Sequence, residues 1–440
     1  MADQQDETPR GWVDHVFWWH VYPLGFVGAE HEASELADGR VEHRLARVGA
    51  WLDHLVSLGC NGLLLAPVFA SATHGYDTVD YLRIDPRLGD DADFDALVAA
   101  CHERGVRVLL DGVFNHAGRD FAPVAQALAE GPGSSAADWV QQLYDTDGVI
   151  TADYFEGHDT LVTLNHSSPV VQDFVRDVLL HWLRRGVDGW RLDAAYAVPA
   201  DFWAAVLPAV RQKFGEAWFV GEMIHGDYVG YVGASGIDAV TQYELWKAVW
   251  SSLDTVNLHE LEWTLGRHAD LVEHFVPMTF LGNHDTTRVA SQVHDPRHRS
   301  HAVALLGFLP GVPCVYYGDE FGLEALKEDR PDGDDAVRPA LPAERGLFAD
   351  PHPEVEEVYR RVLGLRRRHP WLVDAVTSTE QVSNEHLLVH ARARRGEGAL
   401  TLVLNLADDA RPLPGGEVLD AEPAVQDGAV APHGWAVLEG

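Results

Sequence analysis

Four apolar runs in this chain each break off into charge, and that repetition leaves few folds open. The clearest run is Gly189-Trp190-Arg191-Leu192-Asp193-Ala194. Its bulky residues read as a buried strand, and residues two apart on a strand share a face. Arg191 and Asp193 therefore look into one space, where the cation favours the ionised carboxylate. A fixed, ionised carboxylate at a strand's carboxyl end is what nucleophilic attack needs. The same grammar recurs in Leu109-Leu110-Asp111-Gly112-Val113-Phe114-Asn115-His116, in Trp218-Phe219-Val220-Gly221-Glu222 and in Phe280-Leu281-Gly282-Asn283-His284-Asp285. The apolar residues before Glu222 suit an acid that must hold its proton. A lone run of this kind fits a structural ion pair. Four in register imply that the strand ends converge.

Apolar runs at 16–21, 62–69, 106–114, 187–192, 218–222, 239–245, 276–281 and 312–317 predict eight strands. Helical periodicity separates them at 45–56, 94–104, 200–214, 302–309 and 354–368, and in a helix opened by Ser168-Pro169. This alternation supports an α/β fold, a (β/α)8 barrel rather than an open doubly wound sheet. In such a barrel all strand carboxyl ends share one face. Residues 117–166 break the rhythm without a regular pattern of their own, as functional segments do. After residue 371 the period changes to two, in Leu387, Val389 and Ala391 and again in Leu400, Leu402, Leu404 and Leu406. Residues 372–440 are therefore expected to form a small all-β domain following a catalytic barrel over 1–371.

The formal net charge is −35. A surface this acidic excludes nucleic acid and anionic membranes as partners and suits a soluble enzyme with a neutral small-molecule substrate. Three cysteines, Cys60, Cys101 and Cys314, lie in or beside apolar runs and are expected as buried free thiols. The polar stretch 1–10 lacks the design of a signal peptide, and no apolar run reaches membrane-spanning length. The expectation is a cytoplasmic protein. No pattern in the chain speaks to its oligomeric state.

Taken together, Asp111-x-x-x-Asn115-His116, Gly189-x-Arg191-x-Asp193, Glu222 closing its strand, Asn283-His284-Asp285 and Gly318-Asp319-Glu320 resemble the motifs of the α-amylase superfamily. The resemblance runs over roughly residues 11–371, in family order. It implies retaining cleavage of α-glucosidic bonds in short α-glucosides. Asp193 would be the nucleophile, Glu222 the acid/base, and Asp285 a grip on sugar hydroxyls. His116 and His284 would bind the same sugar beside Arg191, with Tyr76 beneath it. Asp77 and Arg288 match an ion pair that closes the pocket of exo-acting relatives. Residues 117–166 would be a short inserted domain walling the cleft. A transglycosylase or isomerase using the same glucosyl-enzyme is the near alternative, and a non-catalytic binding subunit the remote one.

Two departures bear on metals. Thr163 stands where many relatives carry an acid, and Tyr196-Ala197 where calcium-binding relatives carry Lys-His. The expectation is no metal and no cofactor, with calcium doubtful. Asp111 reads as structural, Asn115 as loop support, His20 and His74 as satisfied polar groups, and the acidic run 329–335 as a solvated loop.

Overall fold

The computed structural model describes residues 11–36, 39–330 and 333–440. The polar stretch 1–10 lies outside the described residues. Eight parallel strands form the central sheet: β1 (Trp18–Val21), β2 (Gly62–Leu65), β3 (Arg107–Gly112), β4 (Gly189–Leu192), β5 (Trp218–Gly221), β6 (Ala239–Val240), β7 (Met278–Phe280) and β8 (Val312–Tyr316). They run in the order β6-β5-β4-β3-β2-β1-β8-β7. A parallel bridge from Thr241 to Met278 joins β6 to β7 and closes the barrel. The strands are buried almost throughout, which is why they read as continuous apolar runs rather than alternating ones. Gly189 is forced by packing. A Cβ there would lie 2.2 Å from the Trp218 carbonyl oxygen of β5.

Several expected elements change shape. The run at 239–245 yields only the two residues of β6. Gln242 then accepts from the Leu245 N–H and starts the helix Tyr243–Thr255. Its aromatic and branched residues are buried by helix packing, which a strand-like composition does not distinguish from a sheet. The helix expected at 45–56 divides into Leu45–Gly49 and Leu52–Leu58. Residues 117–166 are more regular than they read. They hold the helix Ala122–Glu130 and the hairpin Leu143–Thr146 with Val149–Ala152, and His116–Gly118 pairs with Leu161–Thr163. These elements are short and lean on aromatic contacts such as Phe121 with Trp139 and Phe174, so no long period marks them.

The C-terminal residues form a five-stranded antiparallel sheet: β9 (Val376–Glu380), β10 (His386–Arg392), β11 (Ala399–Asn405), β12 (Glu417–Glu422) and β13 (Gly434–Glu439), in the order β9-β10-β11-β13-β12. One face, with Leu387, Val389, Leu402 and Trp435, joins the barrel's core. The other face, with Leu388, Val403 and Leu438, packs on Val430 as a second small cluster. The period-two reading saw only the first face. The cysteines are free and buried. Among the described residues no helix is long and apolar enough to cross a membrane.

Candidate active site

Arg191 lies at the centre of the converging strand ends. Strand register sets it beside Asp111 on β3 and Val220 on β5. Its guanidinium bonds Asp111 Oδ2 at 2.6 Å and Asp193 Oδ1 at 3.0 Å through Nη1, and Glu222 Oε1 at 2.6 Å through Nη2. One buried cation thus holds three buried carboxylates. Burial works against its charge, but Asp111 and Glu222 outweigh that and drive the Arg191 pKa up. Asp193 behaves differently from the sequence expectation. Burial pushes its carboxyl well above the usual range; Arg191 opposes this, and the Glu222 and Asp111 carboxylates reinforce it. The arginine two residues back is therefore not what alone sets the ionisation of Asp193. The next residue, Ala194, takes a left-handed φ of 45°, and its N–H donates to Glu222 Oε2 at 3.1 Å. Strain of this kind in a non-glycine residue persists only where the surroundings over-determine it.

Glu222 receives a further bond from the Tyr243 hydroxyl at 3.0 Å, and Asn283 Nδ2 donates to that hydroxyl at 2.7 Å. Tyr243 was missed because its segment read as a strand. His284 is stacked between Tyr22 and Tyr76. Its Nε2 contacts the Tyr76 hydroxyl and lies 2.9 Å from Asp285 Oδ2. Burial alone would raise Asp285, but His284 and Arg338 prevail and hold it well below the usual carboxylate range. Tyr76 also donates to Asp111 Oδ2 at 2.9 Å, so Asp111 links the ring to Arg191.

Other expectations fare unevenly. His116 has both ring nitrogens engaged, with the Tyr76 carbonyl and with Asn115 Nδ2, each at 3.1 Å. Burial brings its pKa down to about 3, so the ring is neutral. It braces the Tyr76 backbone and presents a face to Phe155 rather than a free donor to a ligand. The Asp77–Arg288 pair does not form. Asp77 accepts from the Thr73 N–H and hydroxyl, a local turn that satisfies it at short range. Arg288 is buried and donates to the Tyr317 and Val337 carbonyls and to Asp319. His74 Nδ1 accepts from the Tyr76 N–H, whereas His20 Nε2 is buried without a partner among the described residues, contrary to its reading as satisfied.

The arginine that does reach the site is Arg338. It donates to Asp285 Oδ1, to Asp334 Oδ2 and to the His284 carbonyl, each at 2.9 Å, with its guanidinium over the Tyr22 ring. The acidic run read as solvated therefore belongs to the site. Residues 327–330 and 333–334 line a cleft of about 1210 Å³ with Tyr76, Phe155, Trp246 and Asp285. Residues 331 and 332 of that run lie outside the described residues. The spacing of Asp334 and Arg338, four apart, was the available signal. Asp193 and Glu222 are recessed, 7% and 5% exposed.

Carboxylates gathered at the carboxyl ends of a closed barrel beside an aromatic-lined cleft have a counterpart among known proteins. The profile of the α-amylase catalytic domain matches residues 37–346. The chain belongs to the α-amylase family. A cyclomaltodextrinase from a Bacillus species is 36% identical over 339 residues, 72% of this chain and 61% of that relative. An intracellular maltogenic amylase from Bacillus subtilis is 29% identical over 334 residues, 71% of this chain and 56% of the relative. The chain thus spans less than two thirds of the length of either. In fold it matches the cyclic α-maltosyl-(1→6)-maltose hydrolase of Arthrobacter globiformis, with a TM-score of 0.79 at 24% identity over 98% of this chain and 99% of that one.

Proposed function

We propose that this α-amylase family member is a retaining glycoside hydrolase acting on the ends of short α-glucosides and malto- or isomalto-oligosaccharides. The observation that carries the proposal is the grip of one guanidinium on both Asp193 and Glu222. That compact arrangement favours the retaining class, whose carboxyls stand about 5–5.5 Å apart. Asp193 attacks the anomeric carbon while Glu222 protonates the departing oxygen. Glu222 then takes a proton from water, which releases the sugar from Asp193. Asp285, kept ionised by His284 and Arg338, accepts from sugar hydroxyls, and Tyr76 supplies an apolar floor. The relatives' names support an α-glucan substrate, and an intracellular relative supports a cytoplasmic setting. The α-anomer should be the first product seen by NMR from maltose, maltotriose or cyclomaltodextrin. Early β-anomer would overturn the double displacement.

Action at chain ends rests on Arg338 instead of the absent Asp77–Arg288 pair. His74, Asp334 and Arg338 line the main cleft and also a neighbouring hollow, so they form the partition between them. That partition abuts Asp285 and stops a chain from threading past the first sugar. Arg338→Ala should lower kcat/KM on maltose by about 10- to 100-fold, through a lost charge-assisted grip on Asp285. It should also raise the share of internally cut products from maltoheptaose. An unchanged product pattern would remove the partition from the proposal. Partition of the glucosyl-enzyme between water and a sugar acceptor is read from the same product mixtures.

No step here needs a metal. Tyr196 and Ala197 stand where calcium-binding relatives carry Lys-His, and the Tyr196 hydroxyl donates to Glu156. Turnover should persist in a calcium-selective chelator. Loss restored by calcium alone would contradict this.

A further inference from the structure

We propose a site for a d-block divalent cation, zinc foremost, where the barrel meets the C-terminal sheet, built on His298 and His433 with Asp295 as the third ligand. His298 precedes the helix Arg299–Phe308 that follows β7, and His433 precedes β13. Their facing nitrogens, His298 Nε2 and His433 Nδ1, are 2.9 Å apart. Each ring's other nitrogen faces an acceptor that has no proton to give. His298 Nδ1 is 3.1 Å from the Leu253 carbonyl, and His433 Nε2 is 2.8 Å from Asp408 Oδ1. Both protons are therefore placed on the outer nitrogens, and two lone pairs meet in the middle. Lone pairs so placed repel unless an electrophile sits between them.

Outer bonds to a carbonyl and a carboxylate are how ligating imidazoles are oriented at metal centres. His298 is buried, with a relative exposure of 2%. A carboxylate oxygen of Asp295 and one nitrogen of each ring all lie within 4.8 Å of one another. Two nitrogens on a tetrahedral zinc stand roughly 3.3 Å apart, at about 2.0–2.1 Å from the ion, so the rings need part by only a few tenths of an ångström. Imidazole and carboxylate donors suit zinc and its neighbours better than calcium or magnesium. Arg297 is the competitor. It bonds both oxygens of Asp295, and its Nη1 is already 3.8 Å from Asp408. Ligation by Asp295 requires Arg297 to turn toward that second carboxylate. Because the ligands come from both parts of the chain, the cation would staple the β sheet to the barrel.

The test uses the full-length protein, stripped with EDTA, dialysed and titrated with zinc chloride, with bound metal counted by mass spectrometry. One equivalent should bind, and the melting temperature should rise with it. Cobalt in place of zinc should show the visible bands of a tetrahedral nitrogen site. His433→Ala, on the partly covered partner, should weaken zinc binding about 100-fold or more with an unchanged circular dichroism spectrum, and Asp408→Asn about 10-fold. A wild-type protein that takes up no zinc would show that the two rings share only a proton, and would overturn the site. Zinc that His433→Ala still binds with full affinity would place it elsewhere, His43, Asp90 and Asp93 being the other candidate among the described residues.

Discussion

Asp193→Ala is expected to cut turnover of maltose by about four orders of magnitude or more while leaving the fold intact, because no other group can form the covalent intermediate. Asp193 is recessed, and Arg191 keeps Asp111 and Glu222 as partners when it is removed. Circular dichroism and melting should therefore change little. Glu222→Gln keeps the shape and one acceptor oxygen for Tyr243 and Arg191, gives up the bond from the Ala194 N–H, and removes the transferable proton. It should cost about 10²- to 10⁴-fold on natural substrates. An aryl α-glucoside with a good leaving group needs little protonation, so its first step should be spared and a burst of phenol released. The two variants separate the roles. Azide should rescue an acid/base variant by attacking the glucosyl-enzyme, and should not rescue Asp193→Ala with retained configuration. Near-normal turnover in Asp193→Ala would reject the mechanism. A Glu222→Gln enzyme equally impaired on both substrates would reject the acid role.

Much of the barrel was legible because its strands are covered on both faces and so read as unbroken apolar runs, from Trp18–Val21 to Val312–Tyr316. The acids were legible because each stands where its run stops. What stayed hidden depends on the third dimension. Asp77 and Arg288 read as a pair by position, yet each finds nearer partners, Thr73 for one and Asp319 with two carbonyls for the other. Arg338 is 53 residues from Asp285 in sequence, and only chain closure brings them to 2.9 Å. Tyr243 was hidden by an ambiguity of composition, since its aromatic and branched neighbours suit a strand as well as a buried helix. His116 shows a different limit. A motif names a histidine, but only packing shows that both its nitrogens are already used.

Arg191→Met should be the most damaging single change to stability near the site, by about 3–5 kcal/mol, because it leaves buried charge without its partner. Methionine fills most of the volume, so the loss is electrostatic rather than a cavity. Asp111, Asp193 and Glu222, 1%, 7% and 5% exposed, would lose the one cation that touches all three. Each must then carry charge in a poorly hydrated space or take up a proton, and each unit of raised pKa costs about 1.4 kcal/mol above that pKa. The sign follows from the proton balance. Burial already raises Asp111 and Asp193 with Arg191 present to oppose it, and loss of that cation raises them further above their unfolded values of about 4. The penalty is greatest above the raised pKa values and fades as pH falls through them, vanishing only below about 4, where both states are protonated. The gap in unfolding midpoint between wild type and Arg191→Met, measured in urea from pH 8 to pH 4, should narrow steadily. Adding Asp111→Asn to the variant should recover part of the loss at pH 7, by removing one of the stranded charges. A gap that stays constant across this range, or a variant as stable as wild type at pH 7, would mean that Arg191 does not carry the charge balance of the site.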